Sequence, residues 1–277
     1  MSSRRVTQTA TVAIMLVLGG SLFAPVATMA EEVPWAKTYT GSEYDIAYDL
    51  VQTSDGGYAL VGWTTSTTTN DANCLLVKTD ANGVAQWNQT YGGDKREGAY
   101  ALIQTRDGGY ALAGDTVSHG TVDYDWWLVK TDAGGLMLWN RTYGGAGYEF
   151  ASAIIQTSDD GFILMGSTTS YGAGSLDAWL IKTDATGVMQ WNQTYGTSDV
   201  EQAYTLIQTA DGGFVFAGSQ GDSPPYLIKA TSQASSSEDF WLVKTDATGV
   251  AQWNQTYGTE VLNECVYDLI QTTDGGF

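Results

Sequence analysis

The chain holds 277 residues, with 12 Lys and Arg against 31 Asp and Glu, a formal net charge of −19, and 33 glycines beside only four prolines. So large an acidic excess repels nucleic acid and anionic lipid, which removes both from the expected partners. Two cysteines, Cys74 and Cys265, and a single histidine, His119, exclude a disulfide framework and a zinc centre built from His and Cys.

At the N-terminus, Arg4 and Arg5 precede an apolar run over residues 12–18, followed by Gly19, Gly20, Pro25 and a small-residue exit that ends at Ala30. This order predicts a secretory signal peptide over residues 1–30 and a secreted or cell-surface protein. The apolar run is shorter than the ~20 residues a spanning helix needs, so no membrane insertion is expected after cleavage. From residue 31 to 277 one phrase recurs, anchored by Trp35, Trp87, Trp139, Trp191 and Trp253. The first three spacings are 52 residues and the fourth is 62, so one unit has been copied and one copy has gained ten residues.

Each copy reads as four short strands. In the second copy they fall over residues 99–105, 110–114, 126–131 and 136–143, aromatic and aliphatic runs bounded by Gly, Asp and Asn. Asp107-Gly108-Gly109 and its counterparts form the first hairpin turn: Asp accepts local backbone hydrogen bonds and Gly takes positive φ. Thr131-Asp132-Ala133-Gly134-Gly135 and its counterparts turn the third strand into the fourth. Four antiparallel strands per ~50-residue unit predict an all-β fold, a β-propeller of four-stranded blades with four complete repeats plus partial ones. The chain opens on a lone fourth strand, residues 35–40, and stops inside the turn region of the fifth copy at Phe277, so a truncated ring is expected. In the fourth strand, period two places Met137, Trp139 and Tyr143 on one face and Leu138, Asn140 and Thr142 on the other. The Trp and Tyr are expected to pack between blades while the Asn turns outward. Cys74 stands where other copies carry Trp126, Ala178 and Phe240, which reads as a packing position.

Asp-Gly-Gly-Tyr/Phe, Trp-Leu-Val/Ile-Lys-Thr-Asp, a Gly four residues before Trp, and Asn-x-Thr-Tyr-Gly together resemble the β-propeller repeats of secreted and cell-surface proteins of archaea and bacteria, over residues 35 to 277. Residues 183–191 are also similar to the tryptophan-docking motif of quinoprotein propellers, although this chain is one residue shorter between Asp and Gly. That resemblance implies a Trp of the outer strand packed between neighbouring blades.

Functional residues are expected where the copies differ, or where a polar residue recurs with no turn to explain it. The connection between second and third strands is the variable one, and its longest version carries Pro224, Pro225 and Tyr226, an apolar ligand-face or partner-contact candidate. Asp45, Glu97, Glu149, Glu201 and Glu264 stand at matched positions where the first strand begins, one carboxylate per copy. They are read as solvated or backbone-bonded groups around the channel mouth, with calcium the one cofactor they would suit. Asn88, Asn140, Asn192 and Asn254 each head a glycosylation sequon. No nucleophile, base and orienting acid show a reason to converge. The expectation is therefore an exported, non-catalytic binding or structural module whose partner is an extracellular protein or glycan. The alternative is a propeller enzyme, carbohydrate-active or quinone-dependent.

Overall fold

The computed structural model describes residues 36–39, 44–65, 71–120, 123–221, 238–259, 264 and 266–277, all within the unit Trp35–Phe277. The segment 1–30, Trp35, Cys265, and Pro224, Pro225 and Tyr226 lie outside the described residues.

Every regular element described is a strand. The first blade is β1 (Asp45–Gln52), β2 (Tyr58–Thr65), β3 (Ala72–Thr79) and β4 (Ala85–Tyr91), and the second is β5 (Glu97–Gln104), β6 (Tyr110–Thr116), β7 (Asp125–Thr131) and β8 (Met137–Tyr143). The third is β9 (Glu149–Gln156), β10 (Phe162–Thr168), β11 (Asp177–Thr183) and β12 (Met189–Tyr195), and the fourth is β13 (Val200–Gln208), β14 (Phe214–Gly221), β15 (Glu238–Thr245) and β16 (Ala251–Tyr257). Each set forms its own antiparallel sheet with strands in chain order, which is the blade of a propeller-type fold. β6, β7, β10 and β11 are buried at every residue, because a blade packed on both sides leaves neither face to water. First strands of successive blades adjoin, and the fourth strands form the exposed rim.

The cores lie between sheets. Trp126, Leu128 and Tyr143 of the second blade interlock with Ile154, Phe162, Leu164 and Trp179 of the third. Full burial of a side chain such as Phe162 contributes roughly 1.5–3 kcal/mol. Cys74 is fully buried in the preceding junction, as its packing position predicts.

The rim tryptophans join blade to blade. Trp139 lies on Gly187 in the next blade's last turn, where a Cβ would stand 2.7 Å from the indole, and it meets the Phe162 ring edge-on at 6.0 Å. Tyr143 Oη donates to Gly187 O at 2.6 Å. Trp87 and Tyr91 repeat the arrangement on Gly135 and Tyr110, and Trp191 and Tyr195 on Gly249 and Phe214. The indoles are half-buried rather than buried, since one edge of each stays at the rim. The described residues 36–39 pair with no sheet, so the strand expected at 35–40 is not formed there; Tyr39 nonetheless donates to Gly83 O at 2.6 Å, as a rim tyrosine does.

The Asp-Gly-Gly turns hold more than their own backbone. Asp107 Oδ1 accepts from Thr105 Oγ1 at 2.5 Å and from Gly109 N at 3.0 Å, and its Oδ2 pairs with buried Lys130 Nζ at 2.9 Å. Lys78, Lys182 and Lys244 make the same pair with Asp55, Asp159 and Asp211. Burial opposes ionisation of Asp107, but the Thr105 hydroxyl, Lys130 and the Gly109 N–H outweigh it and hold the carboxyl at about 2.

Candidate functional site

Strand registers put one end of all four blades on a common face. Glu97 opposes Thr116 across β5 and β6, and Thr116 opposes Asp125 across β6 and β7, so strand-one starts and the variable connections share that end. The connections also touch the next blade: Glu149 N donates to Tyr124 O at 2.8 Å and Glu201 N to Leu176 O at 2.8 Å.

The five matched carboxylates do not share one environment. Glu97, Glu149 and Glu201 are fully buried, while Asp45 and Glu264 are half-buried. Glu97 Oε1 accepts from Thr116 Oγ1 at 3.0 Å and Ser118 N at 3.1 Å, and Oε2 from Gly93 N at 2.8 Å. Glu149 accepts from Thr168 Oγ1 at 2.8 Å and Gly145 N at 3.1 Å. Burial pushes the Glu149 carboxyl up, its hydrogen bonds from Ser170, Thr168 and Gly145 oppose this, and nearby Asp125 reinforces the rise. Glu97 and Glu149 accept from backbone N–H groups in the blade interior, whereas Glu201 accepts from the Thr197 hydroxyl and the Gln220 amide. Among the described residues no group of three or more His, Cys, Asp or Glu assembles a metal centre.

Sequence reading passed over a second series three residues further on. Each first strand carries a β-bulge, between Ala47 and Asp49, Ala99 and Ala101, and Ala203 and Thr205, and the bulged residue is Tyr48, Tyr100 or Tyr204. A bulge re-aims its side chain, so the innermost strands present a phenol apiece. Tyr48 meets Tyr100 at 4.9 Å, and Tyr204 meets Tyr267 of the fifth copy at 5.9 Å. The third blade breaks the series with Ser152, whose Oγ donates its one proton to Ala203 O at 2.6 Å and also lies 3.1 Å from Met165 O. Beside that serine opens a cleft of about 290 Å³, walled by Phe150, Leu176 and Tyr204 with Ser152, Ser167 and Gln202. The signal was legible as Tyr, Tyr, Ser, Tyr, Tyr at matched positions.

Residues that the copies do not share also cluster in the second and third blades, and Phe150 joins that cluster to the cleft. The Tyr148 and Phe150 rings stack parallel at 6.5 Å, Tyr124 meets both at 6.1 Å, and the Arg96 guanidinium lies 5.8 Å from the Tyr124 ring. His119, exposed, stacks on Trp127 at 5.6 Å. Asp115 is 1% exposed beneath Tyr100; burial raises its carboxyl to about 6, with Tyr100 and Arg96 opposing and Glu97 reinforcing the shift. At the rim, Asn88, Asn192 and Asn254 are exposed and Asn140 is half-buried.

Fold and site together define an all-β array of propeller blades with an aromatic, polar cleft at its inner face. No family model and no curated protein matches the chain. Among solved structures it is similar to a protein of unknown function from Bacteroides caccae, at 9% identity over 76% of this chain and 81% of that one with a TM-score of 0.41. It is also similar to the eukaryotic initiation factor, at 8% identity over 79% of this chain and 56% of that one with a TM-score of 0.35. The blade architecture rests on the four sheets themselves.

Proposed function

We propose that this chain is an exported, non-catalytic binding module that takes an extracellular glycan at the inner face of the third and fourth blades. The observation that carries the reading is the replacement of the bulge tyrosine by Ser152, beside a cleft large enough for about one sugar ring. Phe150 and Tyr204 offer apolar faces to the C–H side of a sugar, and Ser167 and Gln202 supply polar groups at its edge. The residues common to all copies are engaged in turns and junctions, which leaves the unshared residues around the cleft to set specificity. An acidic, glycine-rich chain headed by an Arg-Arg and apolar stretch suits the cell exterior. Among the described residues no helix is long and apolar enough to cross a membrane.

Ser152→Tyr restores the residue the other copies use and fills the cleft without disturbing the blade pattern. The wild-type protein is screened against a panel of soluble glycans by calorimetry and the variant is measured on any ligand found. Binding that the variant loses at an unchanged unfolding midpoint supports the reading. Binding that survives the substitution, or a panel with no ligand, overturns it.

A further inference from the structure

The blade junctions repeat an acidic arrangement that the cleft does not use. Asn73, Asp125, Asp177 or Asp239 stands where the third strand begins, and Glu97, Glu149, Glu201 or Glu264 where the next blade's first strand begins. At the first three junctions the glycine after the rim tyrosine, Gly92, Gly144 or Gly196, lies beside both. A Cβ on Gly196 would collide with Asp177 Oδ1 and stand 2.6 Å from Glu201 Oε2, and one on Gly144 would meet Asp125 Oδ1 and Glu149 Oε2 in the same way. Two carboxylate oxygens from different blades therefore converge beside one glycine.

At the junction of the third and fourth blades this pair is sealed from water, with Asp177 1% and Glu201 0% exposed. Asp177 Oδ1 accepts from Ala173 N at 3.2 Å and Oδ2 from Gly174 N at 2.9 Å. Glu201 Oε1 accepts from Thr197 Oγ1 at 2.8 Å and Gln220 Nε2 at 2.9 Å. Glu201 Oε2, beside the same Gly196 as Asp177 Oδ1, has no hydrogen-bond partner. At the two earlier junctions the matching oxygen accepts from Gly93 N or Gly145 N, and here Thr197 replaces that glycine. The next junction repeats the deficit: Asp239 Oδ1 and Glu264 Oε2 are both buried without a partner.

A buried carboxylate oxygen set against a second carboxylate needs a proton or a cation between them. We propose that the junction of the third and fourth blades binds one hard divalent cation of the calcium class between Asp177 and Glu201. Backbone carbonyls of Thr197 and Asp199 lie against Gly174, whose N–H binds Asp177, so oxygen donors of the kind calcium takes stand near one member of the pair. Two carboxylates are few for such a site, which sets its affinity in the roughly 10⁻⁴–10⁻³ M range of extracellular calcium modules. Asn73 removes one charge from the first junction, which is therefore no part of the proposal. The ion would tie blade to blade, and the proposal stands whether or not a glycan occupies the cleft.

The test is thermal unfolding at pH 7.5 in EDTA, in about 5 mM CaCl₂ and in about 5 mM MgCl₂, for the wild type, Asp177→Asn and Glu201→Gln. Calcium is expected to raise the wild-type midpoint by about 3–5 °C, with magnesium giving less. Both amide variants should lose that response and, relieved of repulsion, unfold in EDTA no lower than the wild type. A wild-type midpoint that ignores calcium, or variants that keep the shift, would overturn the proposal. So would a midpoint that rises on acidification to pH 5.5 without any calcium response, which would place a proton between the pair.

Discussion

The indole N–H groups of Trp127 and Trp179 find their acceptors in Asn140 Oδ1 at 3.3 Å and Asn192 Oδ1 at 3.1 Å. Both amide nitrogens also lie 3.4 Å from a methionine sulfur, Met137 or Met189. Asn88 is exposed, and the corresponding third-strand position in its blade is Leu75 rather than Trp. Four chemically equivalent sequons therefore differ in their freedom to leave the sheet. In a host that glycosylates exported chains, peptide mass mapping should find Asn88 occupied well above Asn140 and Asn192; equal occupancy would contradict this. Asp115 makes a second residue-scale prediction. Its folded pKa of about 6 lies above the unfolded ~3.9, so the native state binds the proton more tightly. The favourable contribution is full below pH ~4 and is lost as pH rises through about 6. Asp115→Asn should then stabilise the protein by about 3 kcal/mol at pH 7.5 and change little at pH 4, as read by urea unfolding at both values. The turn aspartates run the other way: Asp107 and Asp159, held at about 2, contribute above pH ~4, and that contribution fades as pH falls through about 2.

Within an element, the same residue type carries different duties at different turns. Gly212, in an Asp-Gly-Gly turn, has φ +84° and nothing within 4 Å of an added Cβ. Gly187, in a turn between third and fourth strands, has φ +77° and the Trp139 indole at 2.7 Å. Gly212→Ala should lower stability by about 1 kcal/mol through backbone strain alone, while Gly187→Ala adds a displaced indole and should reach about 2–3 kcal/mol. Equal losses in denaturant titrations would show that the docking contact contributes nothing. Both glycines were legible as turn residues, but only the assembled junction separates them. The same holds for Lys130, whose place in Trp-Leu-Val-Lys-Thr marks a strand without revealing that it reaches back to Asp107.

Across the molecule, each blade contacts chiefly its neighbours, so stability is close to a sum of blade and junction contributions. Position along the array should decide the weight of a repeated residue. Trp139 lies within a complete junction, whereas Trp253 is 37% exposed with Phe277 at 6.1 Å. Trp139→Ala is expected to lower stability by about 3 kcal/mol and Trp253→Ala by about 1 kcal/mol, measured by equilibrium unfolding. A uniform loss would contradict an additive array. Four strands per blade, strand limits within about two residues, and the Trp-and-Tyr face that packs on the next blade were all legible, because period two and turn chemistry are local properties. The candidate site was legible only in part. The recurrence of Glu97, Glu149 and Glu201 stood out, while their partners Asp125 and Asp177 sit in other blades and their burial depends on packing.

The repeat, the turns and the alternation of faces determined the blades and the order of their strands, since each follows from contacts between residues close along the chain. Tertiary structure decided which faces meet. It took the packing of neighbouring sheets to seat Trp139 on Gly187, to set Glu201 against Asp177 and to open a cleft beside Ser152, because the contacts that make these sites join segments about 20 to 50 residues apart and exist only once blades lie side by side.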